Sequence, residues 1–349
     1  MKASISSNTS FSSISFCILI VIVFLTFMLM ISCGENPSIS EPQSKEYFDT
    51  ALLSNDTYIH SSIPAYGLDN NPINAQQKRA LIYWYNIMPS DVTVSDIIGN
   101  DVKVNPQQAN VTTLDIVFDP SRKGIYNGGE LSPDLKTNWA GFFRTLPEST
   151  ATKFEKKNLV LKLWLKIEDA SENALLNIDL GNISEDVLPN SRLDTEDKNA
   201  NDLLDGGEDT GIDGLFDFDE SNYHSNDPHN DNFSFSSGIY ERVNGLEGNK
   251  YLNESGRSID SEDLNRNFIL DQSNDYFSYR VPLDPDKIIK SKIIEYGNNG
   301  WIHVKIPIDL PDIIVGSPYK SGVETIRLWI TNSDRQVHIR IAQIKFDEI

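Results

Sequence analysis

The stretch LVLKLWLKI, residues 159–167, alternates between two kinds of side chain from Leu161 onward. Its odd-numbered positions are all leucine or isoleucine, whereas Lys162, Trp164 and Lys166 occupy even-numbered positions. A period of two residues is typical of a β-strand that buries one face and leaves the other toward solvent. The stretch therefore predicts a strand at the surface of a hydrophobic core.

Six further stretches are short, rich in β-branched and aromatic residues, and bounded by Gly, Pro, Asn or Asp. They are LIYWYNI (81–87), TTLDIVF (112–118), ALLNIDLGNI (174–183), WIHVKIPI (301–308), ETIRLWIT (324–331) and VHIRIAQIKF (337–346). No long amphipathic helix is predicted, and residues 149–157 make only one short turn. The pattern predicts a mainly β chain: an antiparallel β-sandwich of the jelly-roll type, an architecture like that of carbohydrate-binding modules.

Three tryptophans, Trp164, Trp301 and Trp329, alternate with the apolar positions of their strands. They therefore fall on faces that otherwise carry polar side chains. Exposed aromatic rings on a β-sandwich can stack on sugars, so these residues are candidate ligand-binding residues. The alternative is that the N-terminal segment or a partner protein covers them.

The N-terminus has the pattern of an export signal. Lys2 precedes an apolar run over residues 14–31, and MISC at residues 30–33 resembles a bacterial lipobox. Residues 1–32 are accordingly predicted to be a lipoprotein signal peptide, with Cys33 lipidated. The alternative is an uncleaved anchor helix, since a mostly apolar run of 18 residues nearly spans a bilayer. The other cysteine, Cys17, lies within the apolar run, so no disulfide is expected in the exported part.

Three regions are predicted after the signal peptide. Residues 33–75 are polar and lack periodicity, which indicates a flexible tether. Residues 76–349 form the sandwich domain, and an acidic insertion, residues 194–275, interrupts its strand pattern. The net charge of −21 argues against nucleic acid and anionic membrane surfaces as partners, leaving the lipid as the membrane contact. The insertion alone holds 21 Asp and Glu against 5 Lys and Arg.

The insertion contains the same acidic pattern twice. DTEDKNANDLLDGGEDTG (194–211) and DSEDLNRNFILDQSNDYF (260–277) share the frame D-x-E-D-x-N-x-N-x-x-L-D-x-x-x-D. With the spacing of a calcium loop, the first copy offers Asp197, Asn199, Asn201, the Leu203 carbonyl, Asp205 and Glu208. The second offers Asp263, Asn265, Asn267, the Ile269 carbonyl and Asp271, with Asn274 at position twelve and Asp275 beside it. Oxygen-only ligands favour calcium over a transition metal.

Two departures distinguish these loops from EF-hands. Position six, normally Gly, is Asp202 or Phe268, and no helix flanks either copy. They are more similar to the free-standing calcium loops of dockerin or thrombospondin-type repeats. A third acidic cluster between them is expected to share ions with the first loop; it comprises Asp213, Asp217, Asp219, Glu220, Asp227 and Asp231. His224 and His229 are interpreted as ordinary loop residues. The alternative to calcium is a disordered acidic spacer.

Several short stretches of the sequence together resemble one known family. They are LIYWYNIMP, YNGGELSP, NWAGFFRTL, LNIDLGNISEDVL, GEDTGIDGLFD, NDPHNDNF, DSEDLNRN and YFSYRVPL, in this order from about Ala80 onward. The chain resembles the extracellular segments of the SprA family, the outer-membrane translocons of the type IX secretion and gliding machinery. The resemblance implies location at the outer-membrane surface and association with envelope or secretion-machinery proteins. It implies neither secretion through a pore nor any catalytic residue.

Three functions compete at this point. The first is a non-enzymatic, calcium-ordered surface lipoprotein that makes protein contacts in the envelope. The second is a carbohydrate-binding module for a polysaccharide, using the three tryptophans. The third is a glycoside hydrolase, for which the strand-end acids Glu168, Asp169, Glu185 and Asp186 are the candidates. No G-x-S-x-G or H-E-x-x-H motif occurs, and the acids cluster at metal-ligand spacing, so no enzymatic activity is expected.

Overall fold

The computed structural model describes residues 48–348, apart from several short gaps and one long gap. The gaps are residues 69, 88–90, 100–108, 128, 206, 209, 217–250, 254–255, 258 and 292, together with the side chains of 251–253, 256–257, 289–291 and 293. The signal peptide, Cys17, Cys33, Asp217, Asp219, His224 and His229 lie outside the described residues. Among the described helices, none has the length and apolar character needed to cross a membrane.

Fourteen strands are described, and every helix is short. The strands are β1 (Ile59–His60), β2 (Ala80–Ile87), β3 (Thr113–Lys123), β4 (Trp139–Thr145), β5 (Leu159–Asp169), β6 (Leu175–Asn182), β7 (Tyr251–Asn253), β8 (Gly256–Arg257), β9 (Asp275–Pro282), β10 (Ile293–Tyr296), β11 (Trp301–Pro307), β12 (Ile313–Val315), β13 (Thr325–Thr331) and β14 (Val337–Glu348). The α-helices are α1 (Pro72–Gln77), α2 (Val94–Ile98), α3 (Glu148–Ala151) and α4 (Pro285–Ser291).

Twelve of these strands form two six-stranded antiparallel sheets, and β7 pairs separately with β8. Sheet A has the order β1-β4-β13-β6-β9-β12, and sheet B has the order β10-β11-β5-β14-β3-β2. The predicted mainly β, antiparallel sandwich is therefore confirmed, and each of the seven predicted stretches contains a strand. The short turn predicted over residues 149–157 is α3 followed by a 3₁₀ turn, Thr152–Glu155.

The main core lies between the two sheets. The apolar positions of LVLKLWLKI enter it, together with the alternate positions of β11 and β13. Their partners are equally apolar, because Leu163 pairs with Val304 on one side and Ile344 on the other. The alternation in the sequence thus identified the inward face of these strands, since successive side chains of a strand point to opposite faces.

The predicted tether is wrong over part of its length. Leu53 and Tyr58 are fully buried in the main core, and β1 pairs with β4 at the edge of sheet A. Residues 48–75, as far as the structure describes them, belong to the sandwich domain rather than to a flexible tether. Their polar composition concealed this, because only a few apolar side chains in the segment carry the packing.

The tryptophan prediction also needs a correction. All three residues lie on outer sheet faces, as the alternation indicated, but they are buried: Trp329 is 1% exposed, and Trp164 and Trp301 are each 3% exposed. The ring of Phe48 lies 6.2 Å from that of Trp164, and the ring of Tyr66 lies 5.5 Å from that of Trp329. The N-terminal segment therefore contacts Trp164 and Trp329, which is in part the alternative left open by the sequence. The face of sheet B that carries Trp164 and Trp301 also packs against α2, through Val94 and Ile97.

Candidate metal centre

The two acidic repeats are hydrogen-bonded to each other. An antiparallel bridge joins Thr195 in the first copy to Ser261 in the second. The N–H of Glu196 donates to the carbonyl of Asp260 at 2.9 Å, and the N–H of Glu262 donates to the carbonyl of Asp194 at 3.0 Å. Residues 66 positions apart in the sequence therefore occupy equivalent places in one structural unit.

The glutamate of each D-x-E-D frame accepts a hydrogen bond from the main chain of the other repeat. The Glu196 carboxylate accepts the N–H of Asp260 at 2.6 Å, and the Glu262 carboxylate accepts the N–H of Asp194 at 3.0 Å. The second oxygen of Glu262 accepts the N–H of Leu188 at 2.8 Å. Both glutamates are almost fully buried. Their buried oxygens thus satisfy main-chain donors that would otherwise lack partners. The calcium-loop spacing did not identify these two residues, which join the loops structurally.

The first acid of each loop orders the main chain that follows it. The carboxylate of Asp197 accepts the N–H groups of Asn201 at 3.0 Å and Asp202 at 2.9 Å. The carboxylate of Asp263 makes the same two contacts, with the residues four and five positions later, at 3.0 and 2.7 Å. Both loops therefore turn at the same place around the acid predicted for position one.

Amide side chains meet the acid of position nine in both loops. Asn199 donates to Asp205 at 2.8 Å, and Asn265 donates to Asp271 at 2.8 Å. Asn201 also donates to Asp205, at 3.0 Å. The structure therefore brings together the side chains predicted for positions three, five and nine of the first loop.

The main-chain N–H group of the seventh residue makes the same contact in both loops. The N–H of Leu203 donates to the side-chain oxygen of Asn201 at 2.8 Å, and the N–H of Ile269 donates to that of Asn267 at 2.7 Å. Both position-seven side chains are exposed. Their carbonyls were the predicted ligand atoms, so the side chains themselves are free to face solvent.

Glu208 closes the first loop from position twelve. Its carboxylate accepts the N–H of Lys198 at 3.3 Å and that of Asp205 at 2.9 Å. It is 8% exposed, although it lies in an acidic surface segment. The structure thus places this residue against the loop, where the spacing had predicted it.

In the second loop, Glu185 makes the contacts that Glu208 makes in the first. Its carboxylate accepts the N–H of Leu264 at 2.9 Å and that of Asp271 at 3.1 Å. These two donors are the equivalents, 66 residues later, of Lys198 and Asp205. Glu185 comes from the end of β6, 79 residues before Leu264.

The position-twelve assignment for the second loop is therefore corrected. The carboxylate of Asp275 accepts the N–H of Ser317 at 2.6 Å, and the side chain of Asn274 accepts the N–H of Ser184 at 3.3 Å. Asp275 begins β9, so it lies in the sheet rather than in the loop. The acid facing the loop comes from a distant part of the chain, which a search of consecutive positions cannot find.

Burial changes the acidity of the three buried glutamates. Burial raises the pKa of Glu185, Glu196 and Glu262 to about 7 in each case. Neighbouring aspartates raise these pKa values further, and main-chain N–H donors lower them. An isolated carboxylate in this environment is costly to ionise, whereas a nearby cation would favour the ionised form.

The third acidic cluster is described at only one of its predicted positions. Asp213 accepts the N–H of Leu215 at 2.9 Å, and burial raises the pKa of its carboxyl. The remaining acids of this cluster lie outside the described residues. The predicted sharing of ions with the first loop therefore stays a prediction.

The loops present oxygen atoms of the kind that calcium binds. Each loop includes three carboxylates, two Asn side chains and one main-chain carbonyl among its candidate ligands, when Glu185 is counted with the second loop. Among the described residues, no three His, Cys, Asp or Glu side chains group closely enough to bind a metal unaided. Calcium in these loops would therefore depend on the asparagines and carbonyls as well as on the acids.

The four acids considered for glycoside hydrolysis all have structural partners. Glu168 pairs with Lys166 at 2.8 Å, and Asp169 pairs with Arg335 at 3.0 Å. Asp186 accepts the N–H of Asn190 at 3.1 Å, and Glu185 belongs to the second acidic loop. These contacts are those of ion pairs and loop caps at strand ends.

Comparison with known proteins adds little to this geometry. No protein-family model and no curated protein matches the chain. One matching solved structure is titled "X-ray crystal structure of a non-crystalline cellulose specific carbohydrate-binding module: CBM28". The two are 9% identical over 76% of this chain and 86% of that chain, with a TM-score of 0.24. At that TM-score the likeness carries no argument about a ligand.

Proposed function

We propose that the protein is a non-enzymatic surface module whose two acidic loops bind calcium and, once ordered, contact protein partners in the cell envelope. The observation that carries the proposal is the repeated set of contacts in the two loops. Loop 1 (197–208) and loop 2 (263–274) share the contacts of positions one, three, five and nine, and Glu185 replaces the missing acid of loop 2. Because Glu185 supplies to loop 2 the carboxylate that Glu208 supplies to loop 1, both loops have a negative charge at the same place, which supports a shared need for it.

Charge explains why a cation would matter here. Residues 194–275 carry 21 acidic and 5 basic side chains, and in the absence of cations the acids repel one another. A divalent ion in each loop would offset three carboxylates and couple binding to local order. The calcium would act structurally, by holding the loops in one conformation.

The tips of the loops offer a contact surface. Leu203 in loop 1, and Phe268 and Ile269 in loop 2, are each at least 60% exposed. Exposed large apolar side chains on otherwise acidic loops are typical of protein contact sites. Calcium would fix these side chains in place and reduce the entropy lost on docking.

The resemblance to SprA-family segments supports an identity for the partner. A lipid on Cys33 would hold the domain at the outer-membrane surface, where the type IX secretion and gliding machinery operates. The proposed partner is a protein of that machinery. The competing functions have less support, because the predicted catalytic acids have structural partners and the three tryptophans are covered.

Calorimetry tests the calcium sites. The protein is freed of metal with chelator and titrated with Ca²⁺, and two ions per chain are expected from the two loops. Glu185→Gln should lose one ion, because it removes a carboxylate from loop 2. Asp275→Asn, at the acid assigned from the sequence, should keep both. Absence of calcium binding by the unaltered protein, or an equal loss in the two variants, would contradict the proposal.

Chemical cross-linking in cells tests the partner. The unaltered protein should be cross-linked to a component of the secretion machinery, identified by mass spectrometry, in a calcium-dependent way. Phe268→Ser should weaken this cross-link, whereas Ile314→Ser, equally exposed on β12, should not. Cross-linking that persists in Phe268→Ser would refute docking through the loop tips while leaving the calcium sites standing.

A further inference from the structure

A cavity of about 460 Å³ lies over the outer face of sheet A. Its floor is a row of three side chains from neighbouring strands, since Asn177 of β6 pairs with both Trp329 of β13 and Arg280 of β9. Leu175 and Thr331 form the next row on the same face. The volume is within the range of small-ligand sites, about 300–1,000 Å³.

The N-terminal strap, residues 59–68, explains why the cavity lies here. It covers the adjoining rows of the same face, where the hydroxyl of Tyr66 is hydrogen-bonded to that of Ser278, and the hydroxyl of Tyr276 accepts the N–H of Ala65 at 2.9 Å. The end of the strap, at Gly67 and Leu68, forms one wall of the cavity. One part of the outer face of sheet A is thus covered by the strap, and the adjoining part forms the cavity.

The lining of the cavity differs in charge from the rest of the chain. The sequence has 51 acidic and 30 basic residues, yet the lining includes Lys78, Lys136 and Arg280 and no Asp or Glu. Lys136 lies 3.4 Å from Asp334, but both side chains are about half exposed, and such pairs are weak. A small region of positive charge on an acidic protein selects for an anionic ligand.

Arg280 provides a second and independent indication. Its Nε–H is buried and has no hydrogen-bond acceptor among the described residues. The guanidinium lies over the ring of Tyr66, with Cζ 5.5 Å from the ring centroid, which holds it at the cavity wall. A buried donor without an acceptor is costly, and an anionic ligand beside the guanidinium would offset part of that cost.

The remaining lining favours a sugar over a peptide. β6, β9 and β13 are each paired on both sides, so no main-chain donors or acceptors are free to add an extended peptide as a further strand. Recognition must therefore use side chains. Thr137, Asn177, Thr331 and Asn332 donate to main-chain carbonyls, so their side-chain oxygens are the atoms that can accept hydrogen bonds from ligand hydroxyls. Trp329 is buried, with its indole N–H donating to Asp179 at 3.0 Å, so it forms part of the floor and not a stacking platform.

We propose that this cavity binds the acidic unit of a carbohydrate, with the carboxylate of a hexuronate received by Arg280 and the neighbouring lysines. The site does not depend on the acidic loops or on calcium. It also differs from the tryptophan-stacking site predicted from the sequence, because charge rather than an exposed ring provides the selectivity.

Calorimetry with short oligogalacturonates, and with neutral galactose oligomers of equal length, tests the site in the full chain. The acidic oligomer should bind at least about tenfold more tightly than the neutral one, since a charge-assisted pair contributes about that much affinity. Arg280→Gln should weaken binding by at least about tenfold. Lys136→Gln, an exposed change that leaves the fold intact, should also weaken it. Arg335→Gln is the control and should not weaken binding, because the Arg335 guanidinium pairs with Asp169 outside the cavity lining.

Three results would overturn the proposal. One is the absence of heat with oligoglucuronate and oligogalacturonate alike. Another is equal affinity for the acidic and neutral oligomers, or for an acidic hexapeptide. The third is unchanged binding in both Arg280→Gln and Lys136→Gln. Thermal unfolding of each variant, compared with the unaltered protein, shows whether a loss of binding reflects a loss of fold.

Discussion

Ala200, Asp202, Arg266 and Phe268 all adopt positive φ, at 57°, 60°, 58° and 61°. They are positions four and six of the two loops, and none of them is glycine. A left-handed conformation costs a residue with a side chain roughly 1–2 kcal/mol. The acid at position one offsets this cost, because it accepts N–H groups from both residues five and six. The conformation is therefore imposed by hydrogen bonding and not by residue type.

Replacing Phe268 by Gly should stabilise the metal-free protein by about 0.5–1 kcal/mol, because Gly adopts φ near +60° without strain. Urea unfolding in chelator measures the change. Ile269→Gly is the matched control: it is equally exposed but is not among the positive-φ residues, so it should destabilise. If both variants lose stability to the same extent, the left-handed conformation of Phe268 does not strain the main chain, and the prediction is wrong.

The N-terminal strap and the 3₁₀ turn before it (Asn55–Thr57) show how an element can escape detection. The strap continues as a non-regular segment after the two residues of β1, so it has no period to recognise. Its packing is nevertheless close. A Cβ at Gly141 would overlap Trp329, and the glycine lets the strap and the indole share the same outer face. Because the strap covers the outer face of β4, that face does not need polar side chains, and the strand lacks the usual alternation of apolar and polar residues.

Leu53→Ala should destabilise the protein by about 3 kcal/mol, because Leu53 is fully buried in the main core. Leu310→Ala, at a leucine that is 69% exposed, should change stability by less than about 0.5 kcal/mol. Chemical denaturation of the two variants measures the difference. An equally small effect at both leucines would mean that residues before Ile59 are a tether after all.

One of the strands absent from the sequence prediction, β4, lacks simple alternation because both of its faces are covered. β4, with the sequence WAGFFRT, buries Ala140 and Phe142 inward and Trp139 and Phe143 outward. A strand covered on both faces does not show the apolar–polar period of a half-buried strand. The covering is provided by segments far away in sequence, so local pattern could not predict it.

Three buried glutamates make the stability of the whole molecule depend on pH. Burial raises the pKa of Glu185, Glu196 and Glu262 from 4.5 to about 7 in the folded, metal-free protein. A folded state that binds protons more tightly than the unfolded state is favoured at low pH. The contribution of these groups is fully present below pH 4.5 and is lost as the pH rises through about 7.

In chelator, the free energy of unfolding should therefore increase as the pH falls from about 8 to about 5. The double variant Glu196→Gln/Glu262→Gln should show a smaller increase, since two of the titrating carboxyls are gone. With calcium present, the increase should shrink, because the ion favours ionised Glu185. Denaturation at several pH values measures these slopes. Identical slopes in the variant and the unaltered protein would exclude the two glutamates as the source.

The sequence by itself determined the mainly β class, the positions of seven strands, the inward faces of three of them and the matched spacing of the two acidic loops. These follow from local rules: the period of two along a strand and the turning of alternate side chains toward one point in a tight loop. Tertiary structure alone decided that the tryptophans are covered, that Glu185 and not Asp275 faces loop 2, and that three basic side chains line one cavity. Each of these depends on contacts between segments tens to hundreds of residues apart. The spacing of residues along the chain cannot predict such contacts, because they arise from the packing of the two sheets and from the path of the strap.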